Sequence, residues 1–197
     1  MPQSASSCPM FLLHAASELM AEVGYGAMSM RQLAARVGMQ PGSLYHHIAS
    51  KQDLLLDVLL DIYAQRVEAW RLSTYSRDLQ GFLQFLLARQ RTHPAEQLLL
   101  RHETRHVDAA RRSWLLQARQ RLYAPLCHYL GASRHGTQAA GVEDAMDLGE
   151  AILGLLDSAD ALRGREHPMD EAAIEAWIMR MSRRLAGGAG APALIHR

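Results

Sequence analysis

From residue 10 to about residue 186 the apolar side chains of this chain recur every three or four positions, and no stretch alternates apolar with polar residues. A helix turns every 3.6 residues, so this spacing gathers apolar groups on one helical face, whereas a strand would need period two. The expected fold class is therefore all-α, with about nine helices. The first spans 10–23, with Phe11, Leu12, Ala15, Leu19 and Met20 as its stripe and Gly24 and Gly26 ending it. The second spans 30–37 and stops at Gly38; the third runs from Pro41 to about Ile48. A longer helix follows Ser50 and reaches about Arg71, carrying Leu54, Leu55, Val58, Leu59, Ile62, Val67 and Trp70. Further helices are predicted near 78–92, 95–107, 109–130, 142–164 and 169–186. They are separated by "THP", "GASRHGTQ" and "GREHP", where Gly, Pro and Ser interrupt the period.

A chain of 197 residues that is 49% hydrophobic can bury a sizeable core. No apolar run approaches the roughly 20 residues that cross a bilayer, and the N-terminus lacks a basic segment leading into an apolar one. A cytoplasmic protein is expected. Cys8 and Cys127 are the two cysteines, too few and too far apart for a disulfide framework. The net charge is +1, so any anionic partner would have to be met by local placement of charge. The basic residues are all arginine except Lys51.

The densest local signals lie in "MSMRQLAARVGMQPGSLYHHIASKQDLL". Ser29 followed by Gln32 makes a capping box at the start of the second helix. Leu33, Ala34 and Val37 face inward, and Ala34 is small enough for another helix to approach. Gly38 suits a left-handed turn, and Pro41 suits the first position of the next helix, where its missing N–H costs little. Two short helices joined by such a turn make a helix-turn-helix, whose second member enters the DNA major groove. Leu44 and Ile48 would anchor that member, leaving Gly42, Ser43, Tyr45 and His46 on its free face for phosphate and base-edge contact. The plainer alternative is that these polar groups decorate a small helical bundle. Ser50 and Asp53 read as another capping pair, which puts Lys51 in the first turn of the long helix. A cation is unfavourable there, and a lysine makes sense if an anion docks at the same end, for which a DNA phosphate is a good candidate.

This segment, preceded at the expected distance by "AEVGY", resembles the tetracycline-repressor (TetR/AcrR-type) family of bacterial transcriptional regulators, over about the first 60 residues. The resemblance implies that Ser29, Tyr45 and Lys51 contact phosphates of double-stranded operator DNA, and that Arg31 reaches a base. It implies that Gln40, Pro41, Gly42, Ser43 and His46 lie where the family varies its readout, and that His47 supports the third helix or touches the backbone. Two departures stand out. Gln40 replaces a common capping serine, and residues 1–55 balance Arg31, Arg36 and Lys51 against Glu18, Glu22 and Asp53, a net charge of zero. The expected organisation is a DNA-binding domain at 1–49, a connecting helix at 50–71, a ligand-binding and dimerisation domain at 72–186, and a flexible tail at 187–197.

The two most apolar helices are those near 142–164 and 169–186. Leu148, Ile152, Leu155 and Leu156 on the first, and Ile174, Trp177, Ile178 and Met181 on the second, are expected at a homodimer interface of four-helix type. Gly149 and Gly154 would allow close helix approach. In the middle helices the resemblance implies a small-molecule pocket for an apolar or amphipathic effector, with Val67, Phe82, Leu86, His102, Trp114 and Met146 as candidate lining. Ordinary helical core explains the same aromatic residues.

One motif points elsewhere. "HETRH", His102 to His106, has the His-Glu-x-x-His spacing that on one helix can hold zinc and supply a general base. A hydrolase would need a third protein ligand. No carboxylate follows Asp108 until Glu143, and Arg112 stands where a third histidine would. Three readings remain: a partly exposed helix face on which Glu103 pairs with an arginine, a contribution to the effector pocket, or a metal-sensing site completed by His93 or His128. The expected function is a ligand-responsive transcriptional regulator, a repressor released by its effector. It has no catalytic residue, no metal and no cofactor. A metal-responsive regulator using His102, Glu103 and His106 is the alternative, and a zinc hydrolase the remote one.

Overall fold

The computed structural model describes residues 8–132 and 142–187, and of residues 131, 132 and 142–146 the backbone alone. Most of the tail at 187–197 thus lies outside the described residues. Among those described there are nine α-helices, one 3-10 turn and no strand. In order they are α1 Met10–Ala27, α2 Met30–Arg36, α3 Pro41–Leu44, α4 Lys51–Leu72, α5 Leu79–Thr92, α6 Pro94–His102, the 3-10 turn Thr104–His106, α7 Arg112–Ala132, α8 Val142–Arg163 and α9 Glu171–Ala186.

Three ends differ from the periodicity. Helix α1 continues to Ala27 across a kink at Gly24, whose φ of 79° leaves the helical path. Helix α3 closes at Leu44, and its last turn tightens, His46 N–H donating to Ser43 O at 3.2 Å and His47 N–H to Leu44 O at 3.0 Å. The segment expected as one helix at 95–107 breaks at His102. There the chain passes into i→i−3 bonding, with His106 N–H on Glu103 O at 3.0 Å, a common way for a helix to end.

By packing, the chain divides into two units: Met1–Leu72 with Gln90–Leu122, and Ser73–Arg89 with Tyr123–Arg197. The first unit therefore groups the helix-turn-helix and α4 with residues 90–122, which chain order had assigned to the 72–186 segment. Helix α1 is its centre, packed on α4, α6 and α2. Leu12, Ala16 and Met20 of α1 are fully buried with Leu33, Leu44, Leu54, Leu55, Leu59 and Leu99, each large side chain contributing about 1.5–3 kcal/mol by leaving water. Polar ties reinforce it. Arg66 on α4 is buried, its Nε 3.1 Å from Glu96 Oε2 and both Nη atoms 3.3 Å from Gln97 Oε1 on α6.

In the second unit α8 packs on α9. Its core contains Phe82, Leu86, Leu126, Ile152, Leu156, Ile174 and Ile178. Phe82 stacks on Phe85 with ring centres 6.3 Å apart, and Gln84 Nε2 donates to Glu175 Oε1 at 2.7 Å. Gly149 approaches Leu126 and Cys127 of α7, whereas no described residue comes close to Gly154.

This packing redistributes two sets of expected residues. Ile152, Leu156, Ile174 and Ile178 are covered within the subunit and so cannot present themselves to a partner chain, while Leu148, Leu155, Trp177 and Met181 remain half-buried. Of the expected pocket residues, Phe82 and Leu86 are core, Val67, His102 and Trp114 are exposed, and the Met146 side chain lies outside the described residues. An exposed helix face and a close-packed core are both compatible with three-to-four spacing, which is why periodicity did not separate them.

Candidate nucleic-acid interface

The helix-turn-helix is built from local chemistry. Ser29 caps α2 reciprocally: its Oγ accepts from Gln32 N–H at 3.2 Å, and Gln32 Oε1 accepts from Ser29 N–H at 2.7 Å. Gly38 takes φ 68° and turns the chain, Met39 N–H returning to Ala34 O at 2.9 Å. Pro41 opens α3, and Gln40 makes no side-chain cap there, as its departure from serine predicts. Leu44 and Ile48 point inward, at 0% and 3% exposure, and fix the rotation of α3 against α2.

That rotation decides what faces outward. Gln40, Pro41, Gly42, Ser43, Tyr45, His46 and His47 are all exposed, as are Ser29 and Arg31 at the start of α2. Tyr45 is 55% exposed, a large aromatic ring held in water by the anchors on either side of it. The face offers hydroxyl donors, an amide, two imidazoles and a guanidinium, beside small residues that admit a backbone. Arg36 is turned away, forking onto Glu22 of α1 with Nη1 2.9 Å from Oε1 and a second, shorter contact from Nη2 to Oε2. The guanidinium's hydrogen bond holds the Glu22 carboxyl below its usual range.

Lys51 is placed differently from its neighbours. Its Nζ donates to Gly26 O at the end of α1 at 3.3 Å and sits 4.4 Å from the centre of the Tyr25 ring. Partial burial lowers its pKa, opposed by the charge of Glu103. A cation in the first turn of α4 is thus compensated inside the protein, by a helix C-terminal carbonyl, a ring face and a carboxylate. An external anion is therefore not needed to account for a lysine at this position. Across the same helix start, Ser50 Oγ accepts from Asp53 N–H at 3.1 Å and donates to Asp53 Oδ2 at 2.5 Å, while Arg111 Nη2 reaches Asp53 Oδ1 at 2.6 Å. These bonds hold the Asp53 carboxyl below the ordinary carboxylate range, Ser50 most strongly.

The HETRH segment packs against this same corner. Its two histidines lie in different elements, His102 ending α6 and His106 in the 3-10 turn, so they are not one turn apart on a helix. His102 is exposed. Glu103 is buried at 6% exposure with Oε2 3.6 Å from His106 Nε2, so the first of the three readings, a partly exposed face on which it pairs with an arginine, does not hold. The His106 ring lies 5.4 Å from Tyr25, and its carbonyl accepts from Gln52 Nε2 on α4 at 3.0 Å. A Cβ added at Gly24 would stand 3.7 Å from Glu103 Oε1, an ordinary contact, so the carboxylate lies beside the kink in α1. Among the described residues no three His, Cys, Asp or Glu side chains come together as metal ligands. Tyr25, Gln52 and Arg111 are the supporting residues that sequence reasoning missed. Their contacts span tens of residues, and no local pattern carries them.

Residues 12–58 match the family model of bacterial regulatory proteins, tetR family. The HTH-type transcriptional regulator UidR of Escherichia coli K12 is 37% identical over 49 residues, a quarter of this chain and a quarter of that protein's own length. A bacterial regulatory protein in the tetR family from Rhodococcus RHA1 superposes with a TM-score of 0.73 at 20% identity, covering 95% of this chain and 100% of that one. AibR, solved in complex with isovaleryl coenzyme A and operator DNA, superposes at 0.66 with 18% identity, over 87% and 95% of the two chains. At such identities the superpositions carry the fold. No described helix is long and apolar enough to cross a membrane.

Proposed function

We infer, from a head that belongs to the tetR family of bacterial regulatory proteins, that this chain is a ligand-responsive DNA-binding transcriptional regulator acting as a repressor. The observation that carries the reading is the face of α2 and α3: every candidate contact there is exposed, while Leu44 and Ile48 are buried and lock that face outward. Ser29, Tyr45 and Lys51 take phosphates, Lys51 by swinging its half-exposed amine off Gly26 O. Arg31, Gln40, Ser43 and His46 read base edges, with Pro41, Gly42 and His47 shaping the approach.

Two copies meet through the half-buried Leu148, Leu155, Trp177 and Met181 and place their recognition helices in major grooves about 34 Å apart. The zero net charge of residues 1–55 requires this pairing, because one head neutralises few phosphates. A small-molecule effector favours a dimer geometry that no longer fits both half-sites, for which a coupling of about 1–3 kcal/mol suffices. The neighbour solved with an acyl coenzyme A and operator DNA supports the pairing of these two activities on this fold. The protein is not an enzyme in this reading, since His102 is exposed at the end of α6 and Glu103 is committed to a buried corner.

Selection of genomic fragments by the purified protein, followed by mobility-shift assays in low salt, tests it. A recurring two-half-site sequence bound by wild type is the expected result; binding to no genomic fragment overturns the reading.

A further inference from the structure

A trough of about 650 Å³ opens in the first unit between the start of α1, the middle of α4 and the segment leading into α6. This volume falls in the range of small-molecule sites, about 300–1,000 Å³. Leu13, Val58 and Ile62 are buried along it, and Met10 and Phe11, 62% and 55% exposed, line it as well. None of the residues proposed to touch DNA lines it, nor does any of the six expected as effector pocket. Two large apolar side chains left in water beside a concave apolar surface mark a place where burial remains to be gained.

The charge of the lining is one-sided. Glu18, Asp61 and Glu96 contribute carboxylates, His14 and His93 are the other titratable lining groups, and no lysine or arginine is among the described lining residues. Glu96 is committed to the buried Arg66. The other two have lighter partners: Glu18 Oε1 lies 3.3 Å from His14 Nε2, and Asp61 Oδ2 accepts from Gln65 Nε2 at 2.7 Å. Glu18 also shares its field with Arg36, which lies outside the trough. An anion entering here would meet two carboxylates with no lysine or arginine among the described residues of the wall, and a neutral molecule would leave their field unused.

We propose that this trough binds a small organic cation, a quaternary or protonated amine on an apolar body. Its charged end lies beside Glu18 and Asp61, and its body covers Ile62 and Phe11, whose ring face adds attraction for the cation. Because both carboxylates are partly solvated, each is worth about a fivefold change in affinity, and the dissociation constant falls at about 10–100 µM.

Isothermal titration of the full chain with benzyltrimethylammonium, against phenylmethanesulfonate and N-benzylacetamide, tests the proposal. The cation binds one per chain, and the sulfonate and the amide do not compete with it. Glu18→Gln and Asp61→Asn each weaken binding about fivefold, and the pair about twentyfold or more. Phe11→Ala weakens it too, and all these positions are exposed enough to leave folding intact. As a second readout, the cation raises the melting temperature of wild type but not of the double variant. Equal binding of sulfonate or amide, undiminished binding by the double variant, or no binding of the cation at millimolar concentration overturns it. No DNA enters the measurement, so its failure is distinct from failure of the regulator reading.

Discussion

Tyr45 and Lys51 differ in what their loss should reveal. Tyr45 is exposed and owes nothing to the core, so Tyr45→Ala should lower operator affinity about tenfold in a mobility shift while leaving the melting curve in place. Lys51 ties α4 to the end of α1, so Lys51→Ala should weaken binding and also cost about 0.5–1 kcal/mol of stability by urea unfolding. Asp53 carries a pH dependence of definite sign. Its folded pKa is depressed by Ser50 and Arg111, so its stabilisation is present above the unfolded pKa, about 3.9, and is lost as pH falls through the lower folded value. The urea midpoint of wild type should therefore fall more steeply than that of Asp53→Asn on acidification from pH 5 to 3. Ser50 and Asp53 were legible as a capping pair because they are three residues apart. Arg111, 58 residues from Asp53, was not.

At the scale of elements, the turn between α2 and α3 is set by Gly38. At φ 68° a Cβ is disfavoured, and Gly38→Ala should cost about 1 kcal/mol in urea unfolding with a matching loss of DNA affinity as α3 rotates. Leu44→Ala should cost more, about 2–5 kcal/mol, because it empties a fully buried site under the recognition turn. Helix α6 illustrates the limit of periodicity. The spacing of its apolar residues predicted one helix over 95–107 but could not show that the helix ends at His102 and turns Glu103 inward. A helix face and a helix end followed by a 3-10 turn have nearly the same period over five residues, and only tertiary packing, with Gly24 and Lys51 near the Glu103 carboxylate and Tyr25 against His106, distinguishes them.

For the whole molecule, α8 and α9 make the oligomeric state testable. Leu155→Glu or Trp177→Glu, at half-buried positions, should shift a dimer toward monomer in sedimentation and weaken operator binding together, whereas Ile178→Glu, at 0% exposure, should unfold the unit outright. The sequence by itself determined the helical class, the helix order and the helix-turn-helix, because caps, turns and apolar period are interactions among residues a few positions apart. Tertiary structure alone decided which apolar stripes are core and which stay open. It also paired Lys51 with the end of α1 and set Glu103 at a buried corner instead of a zinc site or an open face. Those outcomes depend on which helix comes to lie against which, and that is fixed by close packing across long chain separations, where a local pattern has no reach.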